Sequence, residues 1–294
     1  MNLFTSHFYI QHVSAASDAT SEMRTGFCPV ECSFGEESVV DALAMDHHGA
    51  LSHLESVALR AWRDHRGARR DDPRFVVTGA ADADATFAIA ALAGLLPEGR
   101  DCGALAELIA AADMHPLALA DDPRPEAALL LLWRRMASGV QDATAFYAGV
   151  DRWRALLKAN PPSALLEAAR AEETARLALA RTARVERLSP QVAFIESPVP
   201  AFDVWYAEVA PVIVAYVAEA QRVTIGVRDL PTAQQLFGPR GLLEVLPKLQ
   251  PPGWGGRETI GGSPRGAKLG KDAALSVARI INEAIHVNTA ALPA

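Results

Sequence analysis

Residues 42–49 read Ala42-Leu43-Ala44-Met45-Asp46-His47-His48-Gly49. A run of small and apolar residues stops at an acid, two histidines and a glycine. The run predicts the end of a buried strand, and Gly49 gives the backbone freedom for a sharp turn. Open α/β sheets carry their chemistry at the carboxyl ends of their strands. Asp46, His47 and His48 placed there offer one oxygen and two imidazole donors, a set suited to Mn, Fe, Zn or Co. A polar loop with two solvated histidines would spell the same three letters, so the rest of the chain has to decide.

Working outward, Leu3–His12 is aromatic and β-branched enough for a strand, whereas residues 14–35 are small and polar and read as loop. Ser38–Met45 leads into the opening motif. Leu54, Val57, Ala58, Ala61 and Trp62 recur at helical spacing within 51–66. Phe75–Gly79 is a short strand ending in glycine, followed by a helix over Thr86–Leu96 that Pro97 closes. Further helices are expected at 105–112, 126–136 and 142–157. Pro161-Pro162 opens a long Ala/Glu/Arg-rich helix over 163–187, which reads as a spacer between domains. Beyond it the spacing predicts a strand at 191–196, a helix at 202–208 and a hairpin from 211–218 and 222–228. A helical stretch at 232–249, broken at Gly238-Pro239, precedes a glycine-dense segment at 253–266, and a last helix spans 272–285. The expected organisation is α/β, with one domain over 1–187 and a smaller one over 188–294.

Chemistry concentrates at three further places. Asp82-Ala83-Asp84-Ala85 joins the glycine-ended strand to an apolar helix. An N-cap role accounts for one of these acids, and the helix start tolerates both charges. Asp113-Met114-His115 ends the next helix. Added to Asp46, His47, Asp82 and Asp84, it completes an oxygen and nitrogen set large enough for two metals sharing a carboxylate; such sites activate water and clamp the oxygens of a phosphoryl transfer. The glycine-dense segment, with Gly255, Gly256, Gly261 and Gly262 beside Arg257 and Arg265, could cradle an anion on backbone N–H groups and guanidinium forks. A surface loop is the plainer reading of it, but Trp254 and Ile260 inside it suggest packing.

Half of the 294 residues are hydrophobic and 21% are charged, which marks a globular chain long enough for two domains. The net charge of -7 and the pI near 5.6 argue against a broad nucleic-acid-binding surface. The three cysteines, Cys28, Cys32 and Cys102, are too few for a disulfide framework and fit a reducing compartment. The polar first residues do not resemble a signal peptide, and no apolar run reaches the length of a bilayer span. A cytoplasmic protein with no membrane partner is expected. Its oligomeric state, a homodimer among the options, is left open.

These residues together resemble the DHH phosphoesterase superfamily. Asp46-His47-His48 matches the motif that names it, and Asp82-Ala83-Asp84-Ala85 resembles its Asp-x-Asp-Ala motif. Residues 212–262 resemble the C-terminal DHHA-type subdomain, whose Gly-Gly-His signature here reads Gly255-Gly256-Arg257. The resemblance implies a parallel-sheet catalytic domain joined by a long helix to a smaller α/β domain, with the active-site cleft between them. It implies His47 as a metal ligand, His48 facing the scissile phosphate beside Asp46, Asp82 and Asp84 each on one ion, and Asp113 as the bridging carboxylate. Manganese, or magnesium, is the implied ion, and a small phosphorylated molecule or a short oligonucleotide the implied substrate. Here the acidic pair follows Asp-His-His instead of preceding it. Thr78 stands where a histidine is usual, so His12 or His115 would have to supply that ligand. The stretch from His12 to Ala19 resembles a decayed first motif in the usual place.

Overall fold

The computed structural model describes residues 8–34, 37–65, 73–114, 117, 119–136, 141–159, 161–264 and 266–290. The chain is mixed α/β and forms two compact units, Met1–Glu173 and Thr174–Ala294.

The first unit runs β1 (Tyr9–His12), α1 (Ala16–Arg24), β2 (Cys28–Val30), a short pair β3 (Ser33–Phe34) and β4 (Glu37–Ser38), and α2 (Val57–His65). It continues with β5 (Arg74–Val77), α3 (Ala83–Leu92), α4 (Gly103–Met114), α5 (Pro125–Arg135) and α6 (Ala143–Lys158), and α7 (Ser163–Ala180) leads out of it. Three strands make a parallel sheet in the order β1-β5-β2. The central place of β5 follows from its sequence, because Phe75, Val76 and Val77 are an unbroken apolar run and all three are fully buried. Helix α3 is apolar on every side, and from Asp84 to Leu92 every residue is buried. It packs against α2 and α6, which lays the hydrophobic cluster around Phe75, Val77, Ala88, Ile89 and Phe146 over the sheet. Since the strands are parallel, their carboxyl ends share one edge, where His12, Glu31 and the Thr78-Gly79 turn lie.

Two expectations for this unit are corrected. Residues 14–35 hold α1, β2 and β3 instead of a loop. The signal was short: β2 has three residues, Cys28-Pro29-Val30, too few to show a period. The run Ala42–Met45 is not a strand but an irregular loop beyond β4, with Ala44 at φ 49°. Its apolar content buries one side chain, Met45, and no ladder partner among the described residues runs alongside it.

The second unit holds a mixed sheet in the order β10-β11-β9-β8-β7-β6. Its strands are β6 (Arg184–Arg187), β7 (Val192–Glu196), β8 (Val212–Val217), β9 (Arg222–Val227), β10 (Gly255–Gly256) and β11 (Ile260–Gly262), with helices α8 (Phe202–Glu208), α9 (Leu230–Phe237) and α10 (Lys271–Ala290). The expected hairpin is β8–β9, paired antiparallel from Val212↔Val227 to Val217↔Arg222. Among the described residues the one parallel pair of this sheet, β7 and β8, is joined through α8, as a parallel connection requires. The long helix ends at Ala180, earlier than expected, and 184–187 form an edge strand. Alternation between charged residues and one valine made that strand look like a continued helix surface. Glycine is dictated by contact in the β10–β11 hairpin: Gly256 has φ 156°, and a Cβ there would lie 2.0 Å from the Ile260 carbonyl oxygen. No helix among the described residues is long and apolar enough to cross a membrane.

Candidate metal centre

The site is built at the carboxyl edge of the parallel sheet. Where β2 ends, Glu31 turns into the left-handed region at φ 51°, and its N–H donates to the Met45 carbonyl at 2.8 Å. That bond draws the 42–48 loop onto the strand end. Arg60, on α2, fastens the loop from the other side. Its guanidinium donates to the carbonyls of Ala44, of Asp46 at 2.7 Å and of Glu55 at 2.9 Å. Burial lowers the pKa of Arg60, against the pull of Asp84 and Asp46, yet a guanidinium stays charged.

Within the loop, Asp46 is fully buried and its Oδ1 accepts three hydrogen bonds, from the N–H of His47 at 2.7 Å, the N–H of His48 at 3.0 Å and His48 Nδ1 at 2.9 Å. A carboxylate accepts only, so the proton of the imidazole bond sits on Nδ1. The fully buried His47 ring is thereby turned inward, edge-on to His48 with ring centroids 4.8 Å apart.

Three carboxylates converge on His47 Nε2: Glu31 Oε1 at 2.9 Å, Asp113 Oδ2 at 3.3 Å and Asp84 Oδ2 at 3.5 Å. Asp84 is fixed by the start of α2, accepting from Ser56 Oγ, from Ala58 N at 3.0 Å and from Val57 N at 3.2 Å. A helix N-terminus suits a carboxylate there. Asp82 is the N-cap of α3 and accepts from Ala85 N at 2.9 Å. Each acid of the pair therefore has its own local job, and a capping role alone accounts for only one of them.

The electrostatics are those of too much negative charge in one buried place. Burial pushes Glu31 well above the usual carboxylate range, and Asp82, Asp84, Asp113 and Asp46 push it further. Burial and then Asp84 raise Asp82 to about 6, and burial raises Asp84 despite its bond from Ser56. Buried charges are normally paired or coordinate a metal. Asp46 Oδ2 is buried and makes no hydrogen bond among the described residues, while Glu31 Oε1 faces His47 Nε2 at 2.9 Å. Two ligand groups have donor atoms within 4.8 Å of one another, Glu31/His47/His48 and His47/Asp84/Asp113. This donor set fits a divalent cation, with carboxylates supplying charge and imidazole supplying nitrogen.

The structure thus brings together Asp46, His47, His48, Asp84 and Asp113, with Asp82 close enough to act electrostatically on Glu31 and Asp84. His12 lies at the same sheet edge, but its Nε2 is 3.0 Å from the Gly79 carbonyl oxygen and its ring packs against Phe146; neither ligand group includes it. His115 and Arg265 lie outside the described residues. Gly255, Gly256, Gly261 and Gly262 form the β10–β11 hairpin of the second unit, and the buried Arg257 at its turn donates its N–H to the Ile260 carbonyl at 2.7 Å. Sequence reasoning missed Glu31. Its signal was an acid directly after a three-residue buried strand, hidden while that segment was read as loop. Compared with known proteins, the chain matches no protein-family model and no curated protein.

Proposed function

We propose that this chain is a metal-dependent phosphohydrolase of the DHH type, acting on a small phosphorylated molecule or a short oligonucleotide. One observation carries the reading: three carboxylates, one just past β2 and one each on α3 and α4, meet the buried His47 Nε2 within 3.5 Å. Glu31, His47, Asp84 and Asp113 would hold two metal ions, with His48 and Asp82 at their margin; manganese is the first choice and magnesium the second. When bound, such ions would supply Lewis acidity toward water and phosphoryl oxygens. His48, partly exposed beside that group, has its Nδ1 proton fixed by Asp46, so Nε2 is the ring nitrogen left to face the substrate. Arg60 keeps Asp46 and His47 in register. The net charge of -7 favours a small substrate over long nucleic acid.

The test is metal content of protein purified without chelator, followed by phosphate release from a panel of phosphoesters and phosphoanhydrides with Mn2+ added. Two equivalents of metal per chain and activity lost in His47→Ala are expected. Full activity in His47→Ala removes that residue from the site. A second reading, a ligand-binding protein with incomplete metal ligation, draws on Thr78 in the usual histidine position and on His12 facing the Gly79 carbonyl; absence of bound metal would favour it. Bound metal with hydrolysis only of non-phosphate bonds would leave a two-metal hydrolase of another class.

A further inference from the structure

The mixed sheet of the second unit ends in β6, and all four of its residues, Arg184-Val185-Glu186-Arg187, are exposed. No strand among the described residues pairs with its outer side. The ladder to β7 sets which backbone groups face outward. Leu188 donates to the Val192 carbonyl at 2.9 Å, and antiparallel pairs alternate between bonded and non-bonded positions. The even-numbered residues 184 and 186 therefore turn their N–H and C=O toward β7, while those of Val185 and Arg187 point away from the sheet.

We infer that β6 is a homodimer edge, adding antiparallel to β6 of a second copy about a two-fold axis at Val185. The side-chain sequence selects this register. A two-fold perpendicular to the sheet leaves a side chain on its own face, so a residue of one copy can oppose only same-parity residues of the other. Centring on Arg184 sets arginine against arginine. Centring on Glu186 sets glutamate against glutamate. Centring on Val185 sets Arg184 against Glu186 of the partner twice, and valine against valine between them. It also places Val185 at a bonded position, where its outward N–H and C=O meet their equivalents. The two charged pairs fall at non-bonded positions, where cross-strand side chains come closest. Val185, 45% exposed, is the one apolar side chain of the strand and lies on the axis. Charges on an edge strand ordinarily oppose pairing; here they oppose every register but one. A four-residue contact is small, so the association is weak and concentration-dependent.

The experiment is sedimentation velocity on the full chain from about 1 µM to about 1 mM, the range suited to a small interface, with a melting curve for each variant to verify the fold. Wild-type protein shifts toward dimer as concentration rises, and less so in high salt. Glu186→Arg places like charges opposite each other and weakens association by about ten-fold or more; the double variant Arg184→Glu, Glu186→Arg restores opposite charges and recovers it. Val185→Cys is joined to its partner by a short bismaleimide, because bonded antiparallel residues lie about 5.5 Å apart at Cα, whereas Glu219→Cys is not. A monomer at every concentration overturns the inference. So does a dimer that Glu186→Arg leaves intact.

Discussion

Oε1 of Glu31 lies 2.9 Å from Nε2 of His47, both side chains buried, and the two residues come from different segments at the same sheet edge. The relationship joins the end of a parallel strand to an irregular loop, and it places a carboxylate whose burial disfavours ionisation against the ring that other acids also approach. Glu31→Gln keeps the shape and removes the charge. We expect divalent-metal affinity to fall at least ~10-fold, the scale on which even indirect ligand support acts. Metal-free stability should rise, since a repelling buried charge is gone. Calorimetric titration with Mn2+ and a metal-free melting curve read both, and unchanged affinity would exclude Glu31 as a ligand.

The acid cluster makes metal-free stability depend on pH. Asp82 is raised from 3.8 to about 6, so between those values the folded state binds more protons than the unfolded state. Its contribution is complete below about 4 and is lost as pH rises through 6, up to about 3 kcal/mol for a shift of this size. Glu31 and Asp84, also raised, act in the same direction. Metal-free protein should melt at lower temperature at pH 7.5 than at pH 5, and Asp82→Asn should flatten that slope. A melting temperature that climbs steadily from pH 5 to 7.5 contradicts the assignment.

Arg60 donates to three carbonyls from a site only 8% exposed. Arg60→Ala strands those oxygens and releases the loop, for an expected loss of about 2–4 kcal/mol in urea unfolding. Arg60→Lys, which cannot span the three acceptors with one planar fork, should recover only part of it. Metal affinity should fall in both, because Asp46 and His47 lose their anchor.

Two glycines in the second unit give an internal contrast. Gly256→Ala drives a Cβ onto the Ile260 carbonyl oxygen and should destabilise the fold by about 1–3 kcal/mol. A Cβ at Gly262 meets nothing within 4 Å. Gly262→Ala should stay within ~0.5 kcal/mol of wild type. Chemical denaturation of both variants measures the difference, and equal losses would remove the steric explanation.

The α/β class was legible in the sequence because its strongest signals are local. Phe75–Val77 is apolar without interruption, residues 85–92 are apolar on all sides, and the two β-rich runs at 212–217 and 222–227 flank a short polar turn, so each declares its element without help from distant residues. Asp46, His47, Asp84 and Asp113 were legible as candidate ligands by residue type and position. Tertiary structure decided the rest. The 42–45 run has the composition of a strand end, but a strand needs a partner, and this segment is instead held by Glu31 N–H and the Arg60 guanidinium, neither of them a sequence neighbour. Residues 184–187 became a strand because β7 offered a ladder. Glu31 entered the site because a three-residue strand, too short to show periodicity, delivered it beside His47. Periodicity reports which face of an element is buried; which separate elements meet, and so which acids share a site, is fixed only when long-range packing brings their ends together.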